Sequence, residues 1–111
     1  MIDLDGCRVV IEHMRPDLID CYDSFASKIQ DFAIERYDGY PFSVTSLLEP
    51  CELEIYTTYL IFMDAYCAYC KQNERECDKD LWEDELKEFI SKYGHLIITI
   101  VAECIRIMLG R

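Results

Sequence analysis

The stretch His95-Leu-Ile-Ile-Thr-Ile-Val-Ala-Glu-Cys-Ile-Arg-Ile-Met-Leu109 decides the fold class of this 111-residue chain. By composition it suits a strand, because the branched side chains of Ile97, Ile98, Thr99, Ile100 and Val101 fit a pleated surface. Its polar residues argue the other way. Thr99, Glu103 and Arg106 stand at i, i+4 and i+7, which is one narrow stripe on a helix. On a strand, Thr99 and Arg106 would point to opposite faces. The spacing predicts a helix over 95–109. The apolar-rich run from Leu96 to Leu109 is too short to span a bilayer as a helix.

Working outward, Asp80-Leu-Trp-Glu83 has the form of a capping box with Asp80 at the cap. It would open a helix over 80–93 with Trp82, Leu86, Phe89, Ile90 and Tyr93 on its apolar side, and Gly94 would close it. Before that, residues 51–72 carry Leu53, Tyr56, Leu60, Met63, Cys67 and Cys70 at alternating spacings of three and four. A second apolar row, Ile55, Tyr59, Phe62, Tyr66 and Tyr69, runs beside the first. Only Thr57, Asp64 and Lys71, with Glu54, Thr58 and Ala68 near them, are left for water. A helix so apolar around its circumference belongs at the centre of a bundle.

Residues 17–37 form an amphipathic helix, with Leu18, Tyr22, Phe25, Ile29, Phe32, Ala33 and Tyr37 on one side. Asp20, Asp23, Ser27, Gln30, Asp31 and Glu35 take the other. Pro16 precedes it, where proline is tolerated, and Gly39 and Pro41 follow as stop signals. Cys7, Val10, Ile11 and Met14 suit a short N-terminal helix beginning near Asp3 or Asp5, although Arg8-Val9-Val10-Ile11 also has strand character. The expectation is an all-α, single-domain bundle over 1–111. Its four main helices lie at about 17–37, 51–72, 80–93 and 95–109, with a short N-terminal helix in addition. The four glycines fall at the expected element ends, so none remains for a phosphate-cradling loop.

Charge is the main functional signal. The chain has 22 acidic and 11 basic residues, a formal net charge of −11, with 51% hydrophobic residues. That apolar content separates it from a disordered acidic tail. No Lys or Arg lies between Arg36 and Lys71, while Asp38, Glu49, Glu52, Glu54 and Asp64 do. A second acidic run, 74–88, follows at once. Such a field attracts basic partners and repels nucleic acid. A charge run is more often a solvated face, and bases interleave the second run. Yet the net charge exceeds the roughly two to eight that solubility asks of a small domain.

The candidate partner-binding residues are therefore Asp38, Tyr40, Glu49, Glu52, Glu54, Glu74, Glu76, Asp78, Asp80, Glu83 and Asp84. Tyr40 joins them because tyrosine anchors interfaces with a rigid ring and a polar tip. In this expectation the chain neutralises a basic macromolecule, as an immunity or antitoxin protein blocks a toxin nuclease, or a viral inhibitor fills a nucleic-acid channel. The analogy is one of charge and size. A self-associating helical protein, homodimeric for example, is the alternative from another class, and a zinc-bearing or enzymatic domain is the further one.

Catalytic and metal signals are thin. His13 and His95 stand alone, and no serine lies in a nucleophile's setting, so the chain is not expected to be an enzyme. Cys67-Ala-Tyr-Cys70, with Cys77 and His95, gives four candidate zinc ligands. Cys67 and Cys70 equally continue the apolar row of their helix, and core packing is the preferred reading; no cofactor is expected. Seven cysteines without a secretory signal argue for reduced thiols in a cytoplasmic protein rather than a disulfide framework.

Overall fold

Helix formation follows the apolar spacing almost everywhere the structure can be read. A computed structural model describes residues 4–32, 47–72 and 82–109. These hold α1 (Leu4–Met14), a 3-10 helix (Pro16–Cys21), α2 (Tyr22–Asp31), α3 (Pro50–Gln72) and α4 (Trp82–Leu109), and no strand occurs among them. The protein is an all-α bundle. The N-terminal segment is helical, and all four of its spaced apolar residues, Cys7, Val10, Ile11 and Met14, are buried.

α3 is the central element. It packs against α1, the 3-10 helix, α2 and, most extensively, α4. Leu53, Ile55, Tyr56, Tyr59, Leu60 and Phe62 are all buried, so that both apolar rows face protein. Thr57 and Thr58 are buried as well, against the expectation that they would meet water. A helix enclosed by four neighbouring elements has little wet side left, and its small polar residues are covered along with the rest. The Thr58 hydroxyl donates to the Glu54 carbonyl at 2.7 Å, whereas Thr57 Oγ1 has no partner among the described residues. Asp64 and Lys71 remain exposed, as their spacing implies.

The expected helix over 17–37 begins differently. Pro16 has no N–H to donate, and Leu18 N–H reaches back only three residues, to the Arg15 carbonyl at 2.9 Å. The chain therefore enters as a 3-10 helix and relaxes into α2 at Tyr22. Leu18, Tyr22, Phe25 and Ile29 face the core as expected, but Phe32 is exposed at the end of the helix. The expected continuation through Tyr37 lies outside the described residues. So do the Asp80 cap and the turn residues Gly39 and Pro41.

Residues 80–93 and 95–109 were expected as two helices parted by Gly94. They form one, since α4 runs unbroken from Trp82 to Leu109. A glycine inside a helix costs about 1 kcal/mol relative to alanine, which is too little to stop a helix with a continuous buried face. Leu86, Phe89, Ile97 and Val101 hold one register across the glycine and are all buried. Gly94 is itself buried, and a Cβ there would stand 3.1 Å from Ile90 Cγ2 in the preceding turn.

An unpartnered buried hydroxyl carries a desolvation penalty with no hydrogen bond to offset it. Thr57→Val keeps the branched shape and removes the oxygen. It should leave stability unchanged or raise it by about 1 kcal/mol in urea denaturation. A loss of that size would mean that the hydroxyl is satisfied.

Candidate functional site

The start of α3 is where charge, helix capping and a covalent link converge. Glu49 caps the helix, since its carbonyl accepts the first intrahelical bond from Leu53 N–H at 2.8 Å. Pro50 follows at the first helical position, where its missing N–H is no loss. Glu52 then reaches back to accept the Glu49 N–H at 2.7 Å, the reciprocal bond of a capping box. Its carboxylate also takes Lys28 Nζ at 2.6 Å and Ser24 Oγ at 2.7 Å, both from α2.

Glu52 is thus internal, 1% exposed, and cannot serve an external partner as the base-free segment suggested. Burial by itself would raise its carboxyl pKa. The bonds from Lys28, Ser24 and the Glu49 N–H outweigh burial and hold it below the ordinary 4.5. One residue earlier, Cys51 forms a disulfide with Cys21 at the end of the 3-10 helix, with their Cα atoms 6.5 Å apart. This corrects the expectation of reduced thiols throughout. Connectivity across a sequence separation of 30 is not readable without the fold. Disulfides persist in oxidising surroundings, so the cytoplasmic expectation loses the support it drew from unpaired cysteines. No described helix is long and apolar enough to cross a membrane.

Around this junction the surface is acidic. Asp17, Asp20, Asp23, Asp31 and Glu49 are exposed, and Glu54 is half-buried. Arg15 grips Asp17 with two bonds of 2.9 and 3.1 Å and stands 3.8 Å from Glu54. The hydrogen bond to Arg15, outweighing the small desolvation, holds the Asp17 carboxyl below its usual range. Arg8 is shared between Glu12 at 3.0 Å and Asp23 at 3.8 Å, and lies over the Tyr22 ring. That ring donates its hydroxyl to the Leu4 carbonyl, and burial beside Cys7 pushes its pKa far above the ordinary tyrosine range.

Of the candidate partner-binding residues, Glu49 is exposed at the cap of α3, Glu54 is half-buried in its first turns, and Glu52 between them in sequence is buried. Asp84 is exposed on α4, far along the chain from this junction. The backbone of Glu83 belongs to α4. Asp38, Tyr40, Glu74, Glu76, Asp78 and Asp80 lie outside the described residues. Asp17, Asp20 and Asp23 were missed as site candidates, although a spacing of three with a single cation, Lys28, between Pro16 and Asp31 is legible in the sequence.

Of the zinc candidates, Cys70 is buried, Cys67 half-buried and His95 exposed, and Cys77 lies outside the described residues. Among the described residues no group of three or more His, Cys, Asp or Glu could hold a metal ion. His13 is exposed, with Nδ1 2.9 Å from the Val9 carbonyl.

Because the folded pKa of Glu52 lies below its unfolded value, its contribution is present above the unfolded pKa and is lost as pH falls through the folded one. Acid should therefore destabilise the protein from about pH 4.5 downward. Glu52→Gln should cost about 1–3 kcal/mol at neutral pH and flatten this acid limb. Lys28→Met should instead move acid unfolding to higher pH. Circular dichroism followed through a pH titration checks both, and superimposable curves would deny Glu52 its role.

Opening the Cys21–Cys51 link should lower stability by roughly 3–4 kcal/mol, the loop-closure value for a ring of this length. Urea denaturation of Cys21→Ser, or of the wild type with and without a dithiol, measures it. Equal midpoints would contradict the expectation.

No protein-family model matches this chain, and no curated protein or solved structure does either.

Proposed function

We propose that this chain is a binding protein that neutralises a basic macromolecular partner, its carboxylates standing where phosphates would otherwise bind. One observation carries the reading: the only cation between Pro16 and Asp31, Lys28, is turned inward onto Glu52. On the same segment Asp17 and Asp23 are met by Arg15 and Arg8 from outside it, while Asp20 and Asp31 are exposed with no cation of their own segment to balance them. Most other described cations are engaged too. Arg8 pairs with Glu12, Arg15 with Asp17, Lys92 with Glu88 and Arg106 with Glu103. Asp20, Asp31, Glu49 and Asp84 have no ion pair among the described residues and are exposed. Among the described residues, these four exposed carboxylates are part of the surplus behind the net charge of −11.

Physically, such a surface works on approach. Uncompensated carboxylates steer a basic protein inward and repel nucleic acid competing for it. The docked contact then needs apolar or aromatic anchors, and Tyr40 is the residue proposed for that part. Partners of this chemistry include nucleases and other nucleic-acid-binding enzymes. Inhibition would follow from occupying the basic channel, and no bond need be made or broken in the partner.

The test is kinetic. The chain is purified with its bound partner from native cells, the pair is separated, and reassociation is followed by stopped flow across salt. The association rate should fall at least about tenfold as the screening length drops below about 10 Å. Asp20→Lys and Glu49→Lys should each slow association several-fold while the circular dichroism spectrum stays the same. Tyr40→Ala should act on dissociation instead. A rate indifferent to salt, with both reversals silent, would reduce the acidity to a matter of solubility.

A further inference from the structure

The C-terminal half of α4 is apolar over more of its circumference than its neighbours cover. Ile97 and Val101 are buried, while Tyr93, Leu96, Ile100 and Ile107 on the adjoining side are 39%, 58%, 43% and 60% exposed. Their spacings of three, four and seven place them in one stripe. The same side of the helix one turn earlier is Phe89, which is 3% exposed under Phe62, Tyr66 and Tyr69 of α3. A row that begins inside the core thus continues into the open.

We infer that this stripe is the contact between two copies of the chain, packed as an antiparallel α4 pair. Charge identifies the occupant. Residues 93–109 contain one acid and one base, Glu103 and Arg106, and these are paired with each other at 2.7 Å. The stripe is therefore neutral in a chain of net charge −11. A basic partner is drawn to the acidic surface and gains nothing electrostatic here. A second copy carries the same neutral stripe and meets no opposing carboxylate along it.

The stripe is also self-complementary. A two-fold axis near Ile100 sets Tyr93 against Ile107 of the second copy, and Leu96 close to its Cys104. Spacings of three and four suit side-by-side helices crossing at a shallow angle. The stripe is about 21 Å long at 1.5 Å per residue. Two such faces bury on the order of 1,000 Å², the lower end for a specific interface, so the dimer is reversible and concentration-dependent.

Sedimentation equilibrium of the purified chain across micromolar concentrations tests this. The expected result is a monomer–dimer equilibrium that tightens as salt rises, because salt screens the repulsion between two acidic bodies. That sign is opposite to the one expected for the basic partner, so the two readings fail separately. Ile100→Glu should weaken dimerisation by about a hundredfold or more. Leu96→Glu, at the more exposed position, should do the same with an unchanged melting temperature. Asp20→Lys should leave the dimer in place. A wild-type chain that stays monomeric throughout, or a dimer untouched by both glutamate variants, overturns the proposal.

Discussion

Glu52 is where the demands of the bundle meet. The central helix begins at the surface and turns inward at Glu52, and its first N–H groups have no partners within the helix. Here the carboxylate three residues into α3 takes the Glu49 N–H, and the same group takes Lys28 and Ser24 from α2. A buried carboxylate without such bonds is costly, and the cost falls only as the donors arrive in the right geometry. Two donors from α2 and one from the cap of α3 meet on this single carboxylate and so fix the position of α2 against α3. The Cys21–Cys51 bond pins the same junction from the adjacent residue.

That internal ion pair shapes the outside as well. With Lys28 held inward, the segment from Pro16 to Asp31 shows solvent a row of carboxylates that only Arg8 of α1 and Arg15 just after it partly offset, at Asp23 and Asp17. Structural charge and surface charge are thus coupled: the one cation of the segment satisfies a buried acid, and Asp20 and Asp31 stay exposed without an ion pair among the described residues. The far end of the molecule behaves differently. Along α4 the acids thin out, the Glu103–Arg106 pair cancels, and exposed aliphatic side chains replace charge. Under the two proposals the regions would answer salt in opposite senses, because one would attract an opposite charge and the other would have to overcome a like one.

The contact between α3 and α4 is largely aromatic. Phe89 lies edge-on to Phe62 and Tyr66, with centroids 5.4 Å away in both cases, and touches Tyr69 and Tyr93 as well. Edge-to-face geometry adds roughly 0.5–1.5 kcal/mol per pair to the area buried. The cluster sits where α4 begins its course along α3, which is why a glycine a turn further on does not break the helix. Tyr93, half in this cluster and half in solvent, marks the point at which the buried row emerges.

Local order was legible wherever a periodic apolar face is long enough to outweigh composition. The stripe Thr99, Glu103 and Arg106 settled helix over strand for 95–109, and the doubled apolar rows of 51–72 marked the central helix. Acidity too is a property of composition. What periodicity does not carry is the meaning of a break or of a single charge. Gly94 reads as a stop in isolation, but whether a helix stops depends on whether the next turn has a surface to bury, and α3 and α1 supply it. Glu49, Glu52 and Glu54 look alike in sequence. Only the approach of α2 distinguishes them, by bringing Lys28 and Ser24 to one of the three and leaving the others near the surface. The pairing of Cys21 with Cys51 has the same origin. Sequence by itself determined the helices and the net charge, because both depend on near neighbours and on counting. Tertiary structure decided which charges are spent inside, which cysteines meet and which apolar stripe is left uncovered, because each depends on residues brought together from distant parts of the chain.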